Sequence, residues 1–337
     1  MKLPIFGILV LSGFLLWMIF HYDFSEAGKA FSSVDWWLIG LSFSFNIGLL
    51  YFRVFKWAII LKPMNRRITA YNICLATFSA YCFNMIIPAK AGGLIQAWII
   101  GRKEKLSISS ALASVALVRL LDGITLVFLG LLMIIWLKIP SRGDVYFSSF
   151  FHSAAMAGIF LLFMIVLFFF FMRKDSVINR FIRTLVRVIP ACYKEKSEQA
   201  VKLFRDGLAC LKSPWYLLAG FMLSLVFWLL CGISILIVLK AFGIVFSGIQ
   251  LPYLILLAQV FSMSIPSFVN AGPYHAATIA VLSMSGVAEQ AALYAAIVMH
   301  AVMLSSNTLP GFIYLCVDGA KDKRLIKEIM DAKNRFK

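Results

Sequence analysis

The sequence is short of charge, and of negative charge above all. Asp, Glu, Lys and Arg make up 14% of its 337 residues, and 15 acids stand against 32 bases. A chain that is 62% hydrophobic with a mean hydropathy of +0.90 lies outside the range of soluble globular proteins. It also lacks the alternating segments of about ten residues that mark a membrane barrel, which leaves helices as the spanning elements. No Walker A, H-E-x-x-H or G-x-S-x-G sequence occurs, so neither ATP hydrolysis nor the hydrolytic chemistries those motifs carry are expected. The four histidines, His21, His152, His275 and His300, are scattered, and no metal or other cofactor is expected. The six cysteines (Cys74, Cys82, Cys192, Cys210, Cys231 and Cys316) fall in no C-x-x-C or zinc spacing and read as small apolar residues in a reduced setting, with no disulfide expected.

What is present is a set of long apolar runs. Residues 3–20, 36–61, 108–137, 150–172, 215–239 and 289–317 read as full spans of a hydrocarbon core about 30 Å thick, which takes roughly 20 helical residues. The run 3–20 follows one lysine and precedes no small-x-small cleavage site, so it reads as a retained helix; a signal peptide is the alternative. The formal charge of +17 would suit nucleic acid, but the bases gather in the loops between apolar runs, as in the cytoplasmic loops of a membrane protein. No nucleic-acid partner is expected.

Two further apolar regions, 70–100 and 251–285, are broken near their middles by proline and glycine. Orientation decides how they run. The 21–35 loop is net acidic and should face outside, whereas Lys62, Arg66 and Arg67 and then `GRKEK` (101–105) should both face the cytoplasm. Both basic loops fit only if 70–100 enters and returns, turning near 88–93. Residues 173–214 hold ten Lys/Arg against four Asp/Glu, and the residues after Gly319 hold seven against three, so both belong inside. Region 251–285 must then return to the outside. The expected fold is an all-α polytopic membrane protein with about six full spans and two re-entrant helical hairpins, arranged as an inverted-topology repeat. Its units are a first repeat, 1–149, with hairpin 70–100; a second, inverted repeat, 150–318, with hairpin 251–285 and a cytoplasmic amphipathic segment, 173–214; and a basic tail, 319–337. Two extra full crossings in each half, with a local violation of the charge rule, form the competing topology. Within the cytoplasmic segment, `VINRFIRTLVRVI` has helical apolar spacing, suiting either a helix in the headgroup plane or a linker helix packed on the bundle.

Polar residues inside apolar sequence are the candidate site. Arg119 and Asp122, in `SVALVRLLDGITLV`, lie three apart on one helix face. With a helix beginning near Ser107, Arg119 lies roughly 18 Å along it, near the bilayer centre. Each charge there costs about 2.5 to 3.5 kcal/mol, so neither should face lipid. Two readings are open: a mutually neutralising structural pair, or charges in a hydrated cavity. Lys90 sits in the first hairpin turn beside Gly92 and Gly93, where backbone amides can approach an anion; it is either a phosphate contact or a lysine reaching the cytoplasmic surface. The second hairpin, `SIPSFVNAGPYHAAT`, offers Asn270, Gly272, Tyr274 and His275, and the final helix offers His300.

The runs `NMIIPAKAGGLIQAWII` and `SSALASVALVRLLDGITLVFLG`, with `SFVNAGPYHAATIAVLSMSGVAEQAALYAAIVMH`, resemble the flippase-like integral membrane family that includes the membrane domain of lysylphosphatidylglycerol synthases. Its typical pattern is a P-x-R-x-G-E-x-x-R turn followed by an E-R-x-x-D helix. Arg119 and Asp122 match. Lys90 stands in place of arginine, Gly93 in place of glutamate, Gln96 in place of the second arginine and Val118 in place of the glutamate before Arg119. The glutamate and arginine common in the second region are replaced near His275 and His300.

The resemblance implies a multi-pass protein of a bacterial or archaeal cytoplasmic (inner) membrane, with both termini in the cytoplasm. It would move a phospholipid, an aminoacylated lipid or an isoprenoid-linked lipid between leaflets, and no enzymatic activity is expected. Lys90 and Arg119 would engage the phosphate, with Asp122 holding Arg119 or coupling a proton. The alternatives are a non-catalytic membrane subunit or scaffold for envelope lipid or glycan synthesis, docking a cytoplasmic or membrane-bound transferase, and a small-solute transporter. Membrane lipids are the expected partners, and a homo-oligomer is compatible with the reading.

Overall fold

The computed structural model describes residues 27–64, 67–86, 91–137, 214–244, 250–263 and 268–321, together with Leu203 and Gly207. These form nine helices and one 3-10 turn, with no strand among the described residues. A short α1 (Ala27–Ser32) leads into α2 (Trp36–Leu61), which Asp35 caps by accepting hydrogen bonds from the Trp37 and Leu38 amides. Then follow α3 (Ala70–Ile86), α4 (Gly92–Lys103), α5 (Ile108–Leu137), α6 (Pro214–Ala241), α7 (Gln250–Ser262), the 3-10 turn (Phe268–Asn270), α8 (Pro273–Met284) and α9 (Glu289–Lys321).

Among the described residues, four helices are long and apolar enough to cross a membrane: α2, α5, α6 and α9. They coincide with four of the expected spans. The expected spans 3–20 and 150–172 lie outside the described residues, as do nearly all of 173–214 and the tail beyond Lys321. Of the 173–214 segment, Leu203 and Gly207 lie against the start of α5, where the Ser110 hydroxyl donates to the Leu203 carbonyl at 2.6 Å.

The two broken regions form helical hairpins. Helices α3 and α4, about 26 and 18 Å long at 1.5 Å per residue, pack against each other, and α7 and α8, about 20 and 18 Å long, do the same. Each arm falls short of a core about 30 Å thick. The open end of the first hairpin is closed by Glu104, which accepts from the Thr69 amide and the Asn72 side chain at 2.9 and 2.7 Å. Its tip is closed by Asn84, whose Oδ1 accepts from the Gly92 amide at 2.9 Å. A Cβ on Gly92 would collide with the Ala80 carbonyl and the Asn84 side chain, so glycine sets how closely the arms approach. The tips of the two hairpins meet, with the Asn270 amide 3.6 Å from the Met85 sulfur.

Helices α2 and α6 run antiparallel along their whole length. The Asp35 amide donates to the Ala241 carbonyl, Ser42 and Asn46 bond to Ser234 and, at the other end, Lys56 bonds to Ser224. Helix α9 packs along α3 and closes on it where Gly311 meets the Phe78 carbonyl. Such small-residue contacts replace the hydrophobic drive that lipid cannot supply between helices. Outward-facing Trp37, Leu41, Phe55, Leu131, Trp215 and Phe312 are exposed, as suits surfaces solvated by acyl chains.

A cation-rich site between the hairpins

The site is assembled by α2, α3, α5 and α6, and its first element is a buried ion pair. Lys56 and Asp122 are 1% and 6% exposed, and the Lys56 ammonium donates to the Asp122 carboxylate. The Ser224 hydroxyl donates to the same Asp122 oxygen at 2.9 Å and lies 3.2 Å from the Lys56 nitrogen. Three helices are thereby joined at one carboxylate. Asp122 is thus neutralised from α2, 66 residues away in sequence; of the two readings open for Arg119 and Asp122, a self-contained pair is not what the packing forms, because it brings a closer cation to the acid.

Arg119 instead donates to the Tyr81 hydroxyl at 3.0 Å and lies 5.2 Å from that ring's centroid. Arg53 also donates to the Tyr81 hydroxyl, and its guanidinium lies 4.4 Å from the Tyr81 centroid and 4.2 Å from that of Phe227. Aromatic faces stabilise such cations without neutralising them. Among the described residues, Arg53, Lys56 and Arg119 therefore gather round one tyrosine with Asp122 as the single acid, a local excess of two positive charges.

Two cavities meet here. A small one, about 20 Å³, is lined by Arg53, Lys56, Arg119, Asp122, Tyr81, Thr77 and Gln96 among others. The larger, about 170 Å³, shares Arg53 and Tyr81 and extends between α2, α6 and the second hairpin past Asn46, Trp228, Gln259, Tyr274 and Asn307. Trp228 is 7% exposed, and its indole N–H has no hydrogen-bond partner among the described residues. The Gln96 and Thr77 side chains bridge the arms of the first hairpin at 3.4 Å, and Gln259 and Thr278 bridge those of the second at 3.0 Å.

The remaining sequence candidates are dispersed around this centre. Lys90 lies outside the described residues. Gly92 is buried with its amide given to Asn84, a packing role, while Gly93 has only Val115 nearby. Asn270 and Gly272 form the second hairpin's tip, where Val269, Asn270 and Gly272 have φ of 54°, 61° and 85°. For Val269, a β-branched residue, this is a strained conformation. The His300 ring, 2.9 Å from the Val269 carbonyl, holds that turn against α9. His275 and His300 stand edge to face at 4.6 Å, both 7% exposed, with Tyr274 4.9 Å from His300. Of these, Tyr274 reaches the larger cavity. Arg53, Lys56 and Tyr81 are functional candidates that the sequence reading passed over. The signal for the first two is the one used for Arg119 and Asp122, two charges three apart inside an apolar run, `YFRVFKWAII`.

Spanning helices, paired short helices and a cation-rich interior define a multi-pass α-helical membrane protein. The family comparison is specific: the chain belongs to the lysylphosphatidylglycerol synthase TM region family, whose pattern matches residues 5–311. Membership puts it among membrane proteins of lipid-related processes. Comparison with curated proteins returns no match, and neither does comparison with solved structures.

Proposed function

We propose that the protein moves a phosphate-bearing lipid between leaflets, the headgroup passing between the two hairpins while its acyl chains stay in the bilayer. The observation that carries this reading is the surplus of two positive charges where Arg53, Lys56 and Arg119 face one acid beside a cavity. Intramembrane charge is costly and marks a binding path more often than a packing device. An anionic phosphate supplies the missing counter-charge, and arginine is the residue suited to it. The two guanidiniums are the headgroup contacts, Tyr81 orients both, and the Lys56–Asp122 pair anchors the wall behind them.

The same reading takes the two hairpins as re-entrant elements of an inverted repeat. Supporting it are arms too short to span, tips that meet, and α2 packed antiparallel to α6, its counterpart in the second half. With the basic loops inside, both termini lie in the cytoplasm. The test is lipid movement by purified protein in vesicles. Arg53→Ala and Arg119→Ala should each fold and insert yet lose most of the activity. Wild-type vesicles that move no lipid, from protein that co-purifies with a transferase, would favour the scaffold reading instead.

A further inference from the structure

If the site receives a lipid phosphate, its walls also say what may be attached to that phosphate. Of the described residues lining the two cavities, Asp122 is the only acid, and it is already held by Lys56 and Ser224. The apolar runs outside the described residues, 3–20 and 150–172, contain no Asp or Glu at all. A positively charged headgroup entering these cavities would therefore find no free carboxylate among the described lining residues and would meet two arginines that no described acid neutralises.

The polar groups along the larger cavity are of another kind. Asn46 donates its amide N–H to the Ser42 carbonyl and the Ser234 hydroxyl, Gln259 donates to Thr278, and Asn307 donates to the Met303 carbonyl. Asn46 and Gln259 each spend both amide N–H groups within the protein, Gln259 through Thr278 and the Met299 sulfur, and Asn307 spends one, so the amide oxygens are the main groups left to accept. A hydroxyl can donate to these oxygens and also accept, and the buried Trp228 N–H on the same wall, without a partner among the described residues, is a donor suited to a hydroxyl oxygen; an ammonium could donate to the oxygens but could not accept from Trp228.

We propose that the substrate class is an anionic phospholipid whose headgroup beyond the phosphate is uncharged and hydroxylated, and that the site rejects cationic, aminoacylated lipids. This rests on the translocation reading and narrows it. Rejection follows from negative selection: like charge in a low-dielectric cavity penalises the wrong ligand without requiring a tighter fit to the right one.

The experiment uses the full chain reconstituted in phosphatidylcholine vesicles carrying traces of tail-labelled phosphatidylglycerol, lysyl-phosphatidylglycerol or phosphatidylcholine, with leaflet exchange read by external quenching. Phosphatidylglycerol should move at least about tenfold faster than the lysyl derivative, which carries the same phosphate. Asn307→Asp, which places a carboxylate on the larger cavity's wall, should narrow that gap, provided its thermal transition in detergent matches the wild type. Excess soluble glycerol phosphate should neither compete nor accumulate inside the vesicles. Equal or faster movement of the lysyl lipid overturns the selectivity while leaving translocation standing. Failure of every lipid to move overturns translocation itself, and accumulation of glycerol phosphate overturns both in favour of a soluble-anion transporter.

Discussion

Removing one member of the Lys56–Asp122 pair is the sharpest perturbation the structure offers. Asp122→Asn keeps the shape of the side chain and its contact with Ser224 but leaves the Lys56 ammonium, 1% exposed, without a counter-ion. Stranding one buried partner costs about 3 to 5 kcal/mol, and an unpaired charge near the bilayer centre costs about 3 kcal/mol on insertion scales. Taking about 3 kcal/mol, the unfolding equilibrium shifts by roughly two powers of ten. Lys56→Met should cost about as much, because it strands the carboxylate. Lys56→Met combined with Asp122→Asn removes both charges and should recover most of the loss, since neutral replacements of a buried pair are often tolerated. The assay is thermal and denaturant unfolding of the four purified proteins in one detergent, read as a double-mutant cycle. A double variant as unstable as the sum of the singles would refute the pairing, and Arg119 would then be the natural partner of Asp122 to test next.

Other outcomes follow from packing and topology. Gly311→Ala, whose Cβ would strike the Phe78 carbonyl and Cys82, should destabilise by about 1 to 3 kcal/mol, whereas Gly93→Ala, 3.5 Å from Val115, should change stability by less than about 0.5 kcal/mol; melting in detergent separates them. Val269→Gly should stabilise by about 1 kcal/mol by relieving its φ of 54°, and His300→Ala should cost about 1 to 2 kcal/mol by freeing the same turn. Cysteines replacing Lys103 and Asp318, whose charged atoms are 3.0 Å apart, should be joined by a short bifunctional thiol reagent in a cysteine-free background; failure to do so would separate the end of the first hairpin from the end of α9. Membrane-impermeant labelling should modify cysteines at 62 and 105 from the same side, and opposite sidedness would restore a single crossing for 70–100.

Much of this architecture was legible one-dimensionally. The runs 36–61 and 108–137 match α2 and α5 end to end, because span length is set by bilayer thickness and rise per residue, neither of which depends on the rest of the chain. The breaks within 70–100 and 251–285 were legible too, since proline and glycine interrupt the helices there, and both regions fold as helical hairpins. Partnership was not. Spacing by three joined Arg119 to Asp122, yet the acid's cation is Lys56, and Arg119 and Arg53 share Tyr81 from different helices. Local periodicity tells which residues share a helix face, whereas the choice among charges within reach depends on which faces pack together. The sequence alone determined the long apolar spans, the breaks within 70–100 and 251–285, and the scarcity of acid inside the apolar runs. Only the tertiary structure decided that Lys56, from another helix, takes Asp122 while Arg53 and Arg119 share Tyr81, because that choice depends on which helix faces pack together.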